Sequence, residues 1–295
     1  MAADTEIQNP APPVDAKPQL PWPAIAWFSL LLVVWYAPVL NRLVQDWMND
    51  DDMGHGFFVP AVAAYIVWLR RDELLRLKLK PSRWGLALVA LAGLQLIAAT
   101  LGVEFFLART SFIFAIAGIV LTLGGWVLLR ALAFPISLLF FMVPLPAIIF
   151  NQLTFPLQLI ASDLAERALS LIGIPVLRDG NILELPSKRL SVVEACSGIR
   201  SLLSLSFLSL VYAFFFDDRP WMRWALLICT IPIAIFANAG RVTITGLLWE
   251  FKPEYAEGFF HTFEGWLIFM VAVVFLVAAH RLIAYAASFR RSPQT

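Results

Sequence analysis

The sequence predicts an all-α polytopic membrane protein with about eight transmembrane helices, an outer interfacial helix and a short outer hairpin. Three observations predict it. Of 295 residues, 60% are apolar and 15% charged, against about 45–50% and about 25% in a typical soluble domain. Mean hydropathy is +0.77, and the apolar residues come in blocks of about 20, enough to cross a hydrocarbon layer of about 30 Å. The 11 Trp and 24 Phe suit a lipid-facing surface, where amphipathic indoles favour the headgroup level. A net charge of +1 gives no electrostatic footprint for nucleic acid. Two cysteines, Cys196 and Cys229, cannot form a disulfide framework.

The expected spans are Ala24–Leu40, Phe57–Leu69 (beginning nearer Met53), Trp84–Leu101, Thr110–Leu129, Leu132–Phe150, Gly198–Phe216, Met222–Ala237 and Thr262–Ala279. Only Arg130 and Ala131 separate the fourth and fifth, which predicts a tight helical hairpin. Pro135, Pro144 and Pro146 kink or interrupt the fifth, tolerable where neighbours or water satisfy the freed carbonyls. Residues 1–23, rich in proline and acids and without a basic n-region, read as a flexible cytoplasmic tail rather than a cleavable signal. The transmembrane domain then covers 24–286, and 287–295 form a cytoplasmic tail.

Lysine and arginine counts orient the chain. With the N-terminus inside, inner segments hold 13 basic residues and outer segments 8, most of the bias lying in Arg70–Arg83. Both termini are then cytoplasmic. The outer side carries two long connections. In Asn151–Ala195, polar Asp163, Glu166, Arg167 and Ser170 recur at helical spacing opposite Leu157, Ile160, Leu164 and Leu171, predicting an interfacial helix over Phe155–Ile172. Asn181–Leu185 and Leu190–Val193 flank Pro186-Ser187-Lys188-Arg189 and predict a hairpin. The second connection, Asn238–His261, includes a short helix over Val242–Phe251.

Cys196 lies where this hairpin meets the sixth span, in Val-Val-Glu-Ala-Cys-Ser-Gly-Ile-Arg-Ser. One reading is packing, since cysteine serves as a small hydrophobe. The other is a reactive thiol, because unpaired N–H groups at a helix start favour thiolate. Arg200, four residues on, shares its helical face. An arginine inside a span costs roughly 2.5–3.5 kcal/mol on insertion scales, so it needs a reason, snorkelling being the plainest. Cys229, mid-span among apolar neighbours, reads as packing.

Arg241 follows the seventh span in Phe-Ala-Asn-Ala-Gly-Arg-Val-Thr. It reads either as an interfacial anchor or as a planar cation for an oxyanion or carboxylate, with Asn238 and Gly240 beside it. His261 opens the last span, and Glu264 lies three residues on, on the same face, able to orient the ring. His280 reads as a cytoplasmic interfacial cap. His55, in Met-Gly-His-Gly-Phe-Phe-Val-Pro, lies on the outer side, its role open between structure, substrate contact and site. Thus Cys196, Arg241 and His261 all fall at the outer boundary. Packing of the last three spans would bring together the thiolate, base and oxyanion stabiliser of acyl transfer. No serine-hydrolase elbow, P-loop or cysteine-pair zinc spacing occurs in the sequence, and no cofactor or metal is expected.

Four stretches carry a family resemblance: Glu194-Ala195-Cys196-Ser197-Gly198-Ile199-Arg200-Ser201, Ala237-Asn238-Ala239-Gly240-Arg241-Val242, His261 before the last span, and His55-Gly56-Phe57-Phe58-Val59-Pro60. In this order, over about Trp22 to Tyr285, the chain resembles the exosortase/archaeosortase family. His261, where the archaeal branch often has arginine, is similar to bacterial exosortases. The resemblance implies a cysteine protease-transpeptidase of the bacterial inner membrane with a triad of Cys196, Arg241 and His261. It implies exported substrates with a C-terminal Pro-Glu-Pro-like motif, a hydrophobic helix and a basic tail, in systems tied to exopolysaccharide synthesis. Arg200, Asn238, Glu194, Glu264 and His55 are the expected supporting or substrate-binding residues. No extra soluble C-terminal domain is expected after the last span. A multispanning transporter would place ionisable groups near the bilayer midplane, whereas here they gather at one face. A catalytically silent scaffold for polysaccharide export is the other alternative.

Overall fold

The computed structural model describes the backbone of residues 22–192, 198–255 and 259–289. The side chains at 51–52, 198–201, 255 and 259–262 fall outside the description. Contacts divide the chain into two compact units, Met1–Asn49 with Gly56–Val143, and Asp50–His55 with Pro144–Thr295. Five described helices are long and apolar enough to cross a membrane, and two shorter apolar helices cover Met53–Leu69 and Leu202–Phe216. Large apolar side chains point outward along them, with Trp35 at 69% and Val34 at 63% exposure. Water would penalise that surface at about 25 cal/mol per Å², so the surrounding medium is lipid.

The first unit contains α1 (Trp22–Asn49), α2 (Phe58–Leu69), α3 (Arg71–Leu75), α4 (Trp84–Leu101) and α5 (Phe105–Leu138), the last running into a 3-10 turn over Leu139–Met142. Its interior is a stripe of small residues, Ala92, Ala99, Ala108 and Ala115, closed by Tyr36 and Leu96. Short side chains let helix backbones approach where lipid gives no hydrophobic drive between them. The Trp47 indole N–H donates to the Met142 carbonyl at 2.9 Å.

The expected hairpin at Arg130-Ala131 is not where the chain breaks. The helical run continues through both residues, and its non-helical point is Gly125, at φ +70°. A Cβ there would stand 1.8 Å from the Lys80 carbonyl oxygen, which only glycine avoids. The Lys80 N–H donates to the Gly124 carbonyl at 3.3 Å, and the Arg70 guanidinium donates to the Ala131 carbonyl at 3.0 Å. The basic Arg70–Arg83 loop is thereby stitched across the break.

In the second unit, Pro144 and Pro146 end the preceding turn and α6 (Ala147–Leu171) begins. Its start is eight residues before the predicted interfacial helix. Its buried stripe also differs from the predicted one: Ala161, Ala165 and Leu169 face inward, while Ile160 and Leu171 are exposed. Small residues take the packed face and large ones the lipid face. The predicted polar face forms an ion network: Arg178 bonds Glu166 at 2.9 Å and Asp163 at 3.5 Å, and Arg167 bonds Asp163 at 2.9 Å.

The hairpin is present with a further strand. β1 (Leu177–Asp179), β2 (Ile182–Glu184) and β3 (Arg189–Ser191) form an antiparallel sheet in the order β1-β2-β3. Three helices follow: α7 (Gly198–Phe216), α8 (Pro220–Phe251) and α9 (Phe259–Phe289). The seventh span and the predicted short helix are one continuous α8, because Ala239 and Gly240 keep helical geometry. Arg241 therefore sits inside a helix, not in a loop.

Candidate functional site

The sheet brings the chain to the site. Leu183, Leu185, Leu190 and Val192 bury themselves against Ala165 and Leu169 of α6 and Val242 of α8. The β2–β3 turn is clamped to the end of α8, where the Ser187 N–H and hydroxyl both donate to Glu250 at 3.0 and 2.6 Å. The Lys188 ammonium stands 3.5 Å from the centre of the Trp249 ring, within cation–π range. The end of β3 is thus fixed next to Val242, the neighbour of Arg241.

Arg241 is half-buried and lies against α9. A Cβ at Gly265 would come within 3.2 Å of its Cζ and Nη2, so the glycine is the seat of the guanidinium. Glu264, 6% exposed, accepts from the Thr245 hydroxyl at 3.1 Å on Oε1 and 3.2 Å on Oε2. The Arg241 charge acts on the same carboxylate. Glu264, expected to orient His261, is thus engaged by α8. Asn238, one helical turn before Arg241, is 9% exposed and lines with it a cleft of about 10 Å³ reaching Gly265, Phe269 and Leu205. That is room for about one water. Among the described residues, no three His, Cys, Asp or Glu side chains gather as a metal site requires.

The remaining predicted residues divide by position. Cys196 and Glu194 lie outside the described residues. Arg200 is the third residue of α7 and His261 the third of α9, and their side chains lie outside the description. His55 is half-buried in the 3-10 turn Asp51–Phe57. Cys229 is half-buried in α8.

Two contacts set the heights of the three helices. Ser206 of α7 meets Thr230 of α8, with hydroxyls 3.2 Å apart. At the other end, the Tyr212 hydroxyl is 3.1 Å from His280 Nδ1, and His280 Nε2 is 3.2 Å from the Asp217 carboxylate. His280 is 7% exposed, so it is a buried link and not the interfacial cap the sequence suggests. At about 1.5 Å rise per residue, Gly198 stands about 12 Å above Ser206, and Arg241 about 16 Å above Thr230. By the same rise, Gly198 stands about 21 Å above Tyr212 and the backbone of His261 about 28 Å above His280. The start of α7, Arg241 and the start of α9 therefore share one end of the unit, within about two helical turns. Sequence reasoning missed Thr245, Gly265 and the His280 link, since each matters only through a partner on another helix.

The transmembrane exosortase family model matches residues 47–278. Neither a curated protein nor a solved structure matches the chain. The matched stretch runs from the end of α1 through the α7–α9 bundle that carries Arg241 and His261, and on that extent the chain belongs to the transmembrane exosortase family.

Proposed function

We propose that this protein is a membrane-embedded cysteine protease-transpeptidase. It cleaves the C-terminal Pro-Glu-Pro-type signal of exported proteins through a thioester on Cys196 at the outer face of the membrane, with about eight spans and both termini cytoplasmic. Family membership supports the coarser role, processing of sorting signals in the membrane. The observation that carries the finer reading is the seat of Arg241 on Gly265, four residues below His261 on α9. Cys196 is two residues before α7, so covalent geometry alone keeps it within about 7 Å of that helix start.

In the proposed reaction the Cys196 thiolate attacks the scissile carbonyl carbon, and Arg241 donates to the oxyanion. The C–N bond breaks, the leaving amine takes a proton from His261, and the thioester remains. An acceptor amine or water then attacks, returns a proton to His261 and releases the thiolate. Asn238 supplies a second donor beside Arg241. Glu264, held by Thr245, balances the guanidinium charge and keeps it on α9.

Co-expression with a substrate bearing the tripartite tail tests the proposal. Cys196→Ala abolishes processing, and Arg241→Lys, which keeps charge but loses the planar fork, lowers it by about 10²–10³. Normal processing by Cys196→Ala would overturn the reading. A matched Arg200→Lys variant retains most activity, which separates the two arginines. A thiol probe labels Cys196 faster than Cys229, at a pH below that of an ordinary thiol.

A further inference from the structure

The first unit holds a separate cavity with apolar walls and a charged rim. It encloses about 320 Å³ where α1 passes the end of α4 and the beginning of α5. Pro38 on α1 and the small residues Ala99 and Ala108 form its apolar walls. The turn that closes it contains Val103 at φ +55°, the one non-glycine residue with positive φ among the described residues. A β-branched side chain is strained there, and such strain clusters at ligand clamps.

The rim is charged with both signs. The Arg109 guanidinium, 7% exposed, is paired with Asp46. Arg42 and Glu104 also lie within electrostatic reach of Arg109 and both line the cavity. Arg42 is exposed, its guanidinium 4.0 Å from the centre of the Phe105 ring. Glu104 caps α5, accepting from the Leu107 N–H with one carboxylate oxygen at 3.3 Å. Two cations and two anions cancel, so an anion alone gains little here. With Asp46 and Arg109 engaged with each other, one cation and one anion stand beside an apolar chamber. α4 is 18 residues long, about 27 Å, so its end lies at headgroup depth.

We infer that this cavity binds a zwitterionic phospholipid, with its phosphate on Arg42, its ammonium on Glu104 and an acyl chain against Pro38, Ala99 and Ala108. The apolar walls select the intact lipid over the free headgroup.

The test uses the full chain in detergent, loaded with equal amounts of phosphatidylethanolamine and phosphatidylglycerol, with retained lipid counted by native mass spectrometry. The wild type retains phosphatidylethanolamine severalfold over phosphatidylglycerol, and millimolar glycerophosphoethanolamine does not displace it. Arg42→Gln lowers retention of both lipids about tenfold, the loss of one charge-assisted contact. Glu104→Gln brings phosphatidylethanolamine down to the phosphatidylglycerol level. Ala99→Leu, which fills the chamber, removes both. Because Arg42 is exposed, its variant keeps the fold and the test stays decisive if Ala99→Leu does not fold. Equal retention of the two lipids by the wild type, unchanged retention by Arg42→Gln, or displacement by the soluble headgroup overturns the inference.

Discussion

A glycine decides how the second-unit cation is held. With hydrogen at Gly265, the Arg241 guanidinium lies against the α9 backbone; a methyl group would stand 3.2 Å from its Cζ. Gly265→Ala therefore shifts the guanidinium by a few tenths of an ångström while leaving the helix intact. A 1 Å misplacement costs up to about 10²-fold in rate, so processing in the co-expression assay falls by about tenfold, and by more in Gly265→Val. Unchanged processing with normal protein levels would detach Arg241 from the reaction. Thr245→Val leaves the Glu264 carboxylate without its hydroxyl donor at a cost of about 1–3 kcal/mol, measured as a lower midpoint of thermal unfolding in detergent. Arg241 and Glu264 were legible in the sequence because charges are rare in apolar segments. Gly265 and Thr245 were not, because a glycine or threonine in a span looks the same whether it faces lipid, a neighbour or a guanidinium.

The β2–β3 hairpin shows how an element is aimed. Its turn is tied to α8 through Glu250 and Trp249, and its core reaches Val242. Glu250→Ala releases Ser187, and hydrogen exchange over 182–191 accelerates by about tenfold, the loss of about one net hydrogen bond, while α8 stays protected. Equal protection in the variant would make the clamp incidental. The hairpin was readable from the two stretches that flank its Pro-Ser-Lys-Arg turn. The continuity of α8 through Gly240 and the break of α5 at Gly125 were not. Glycine is permissive in a helix, and only the Lys80 carbonyl against Gly125 distinguishes the break from an ordinary small residue.

For the whole molecule, the link at the far end of α7 and α9 couples bundle geometry to protonation. Burial pushes the Asp217 carboxyl up, but the Arg219 N–H, the His280 ring and the Arg219 charge outweigh it and hold the group below the ordinary carboxylate range. A group depressed in the folded state contributes stability above its unfolded value near 3.8, and that stability is lost as pH falls through the folded value. Acid unfolding below about pH 4 is therefore steeper in the wild type than in Asp217→Asn, which is less stable at neutral pH and flatter on the acid side. Identical acid limbs would remove Asp217 from the link. Reporter fusions in the Arg70–Arg83 loop and in the β2–β3 turn check the proposed orientation: the first reports cytoplasm and the second the outer side.

Hydropathy and charge placement by themselves determined the polytopic helical class and which few polar residues break an apolar background, since lipid admits long apolar helices and penalises isolated charge. Only the tertiary structure decided which faces pack. In lipid, helix contact depends on side-chain size and shape rather than on escape from water, so the alanine face of α6, the seat at Gly265 and the Tyr212–His280–Asp217 link exist only as pairs brought together by the fold.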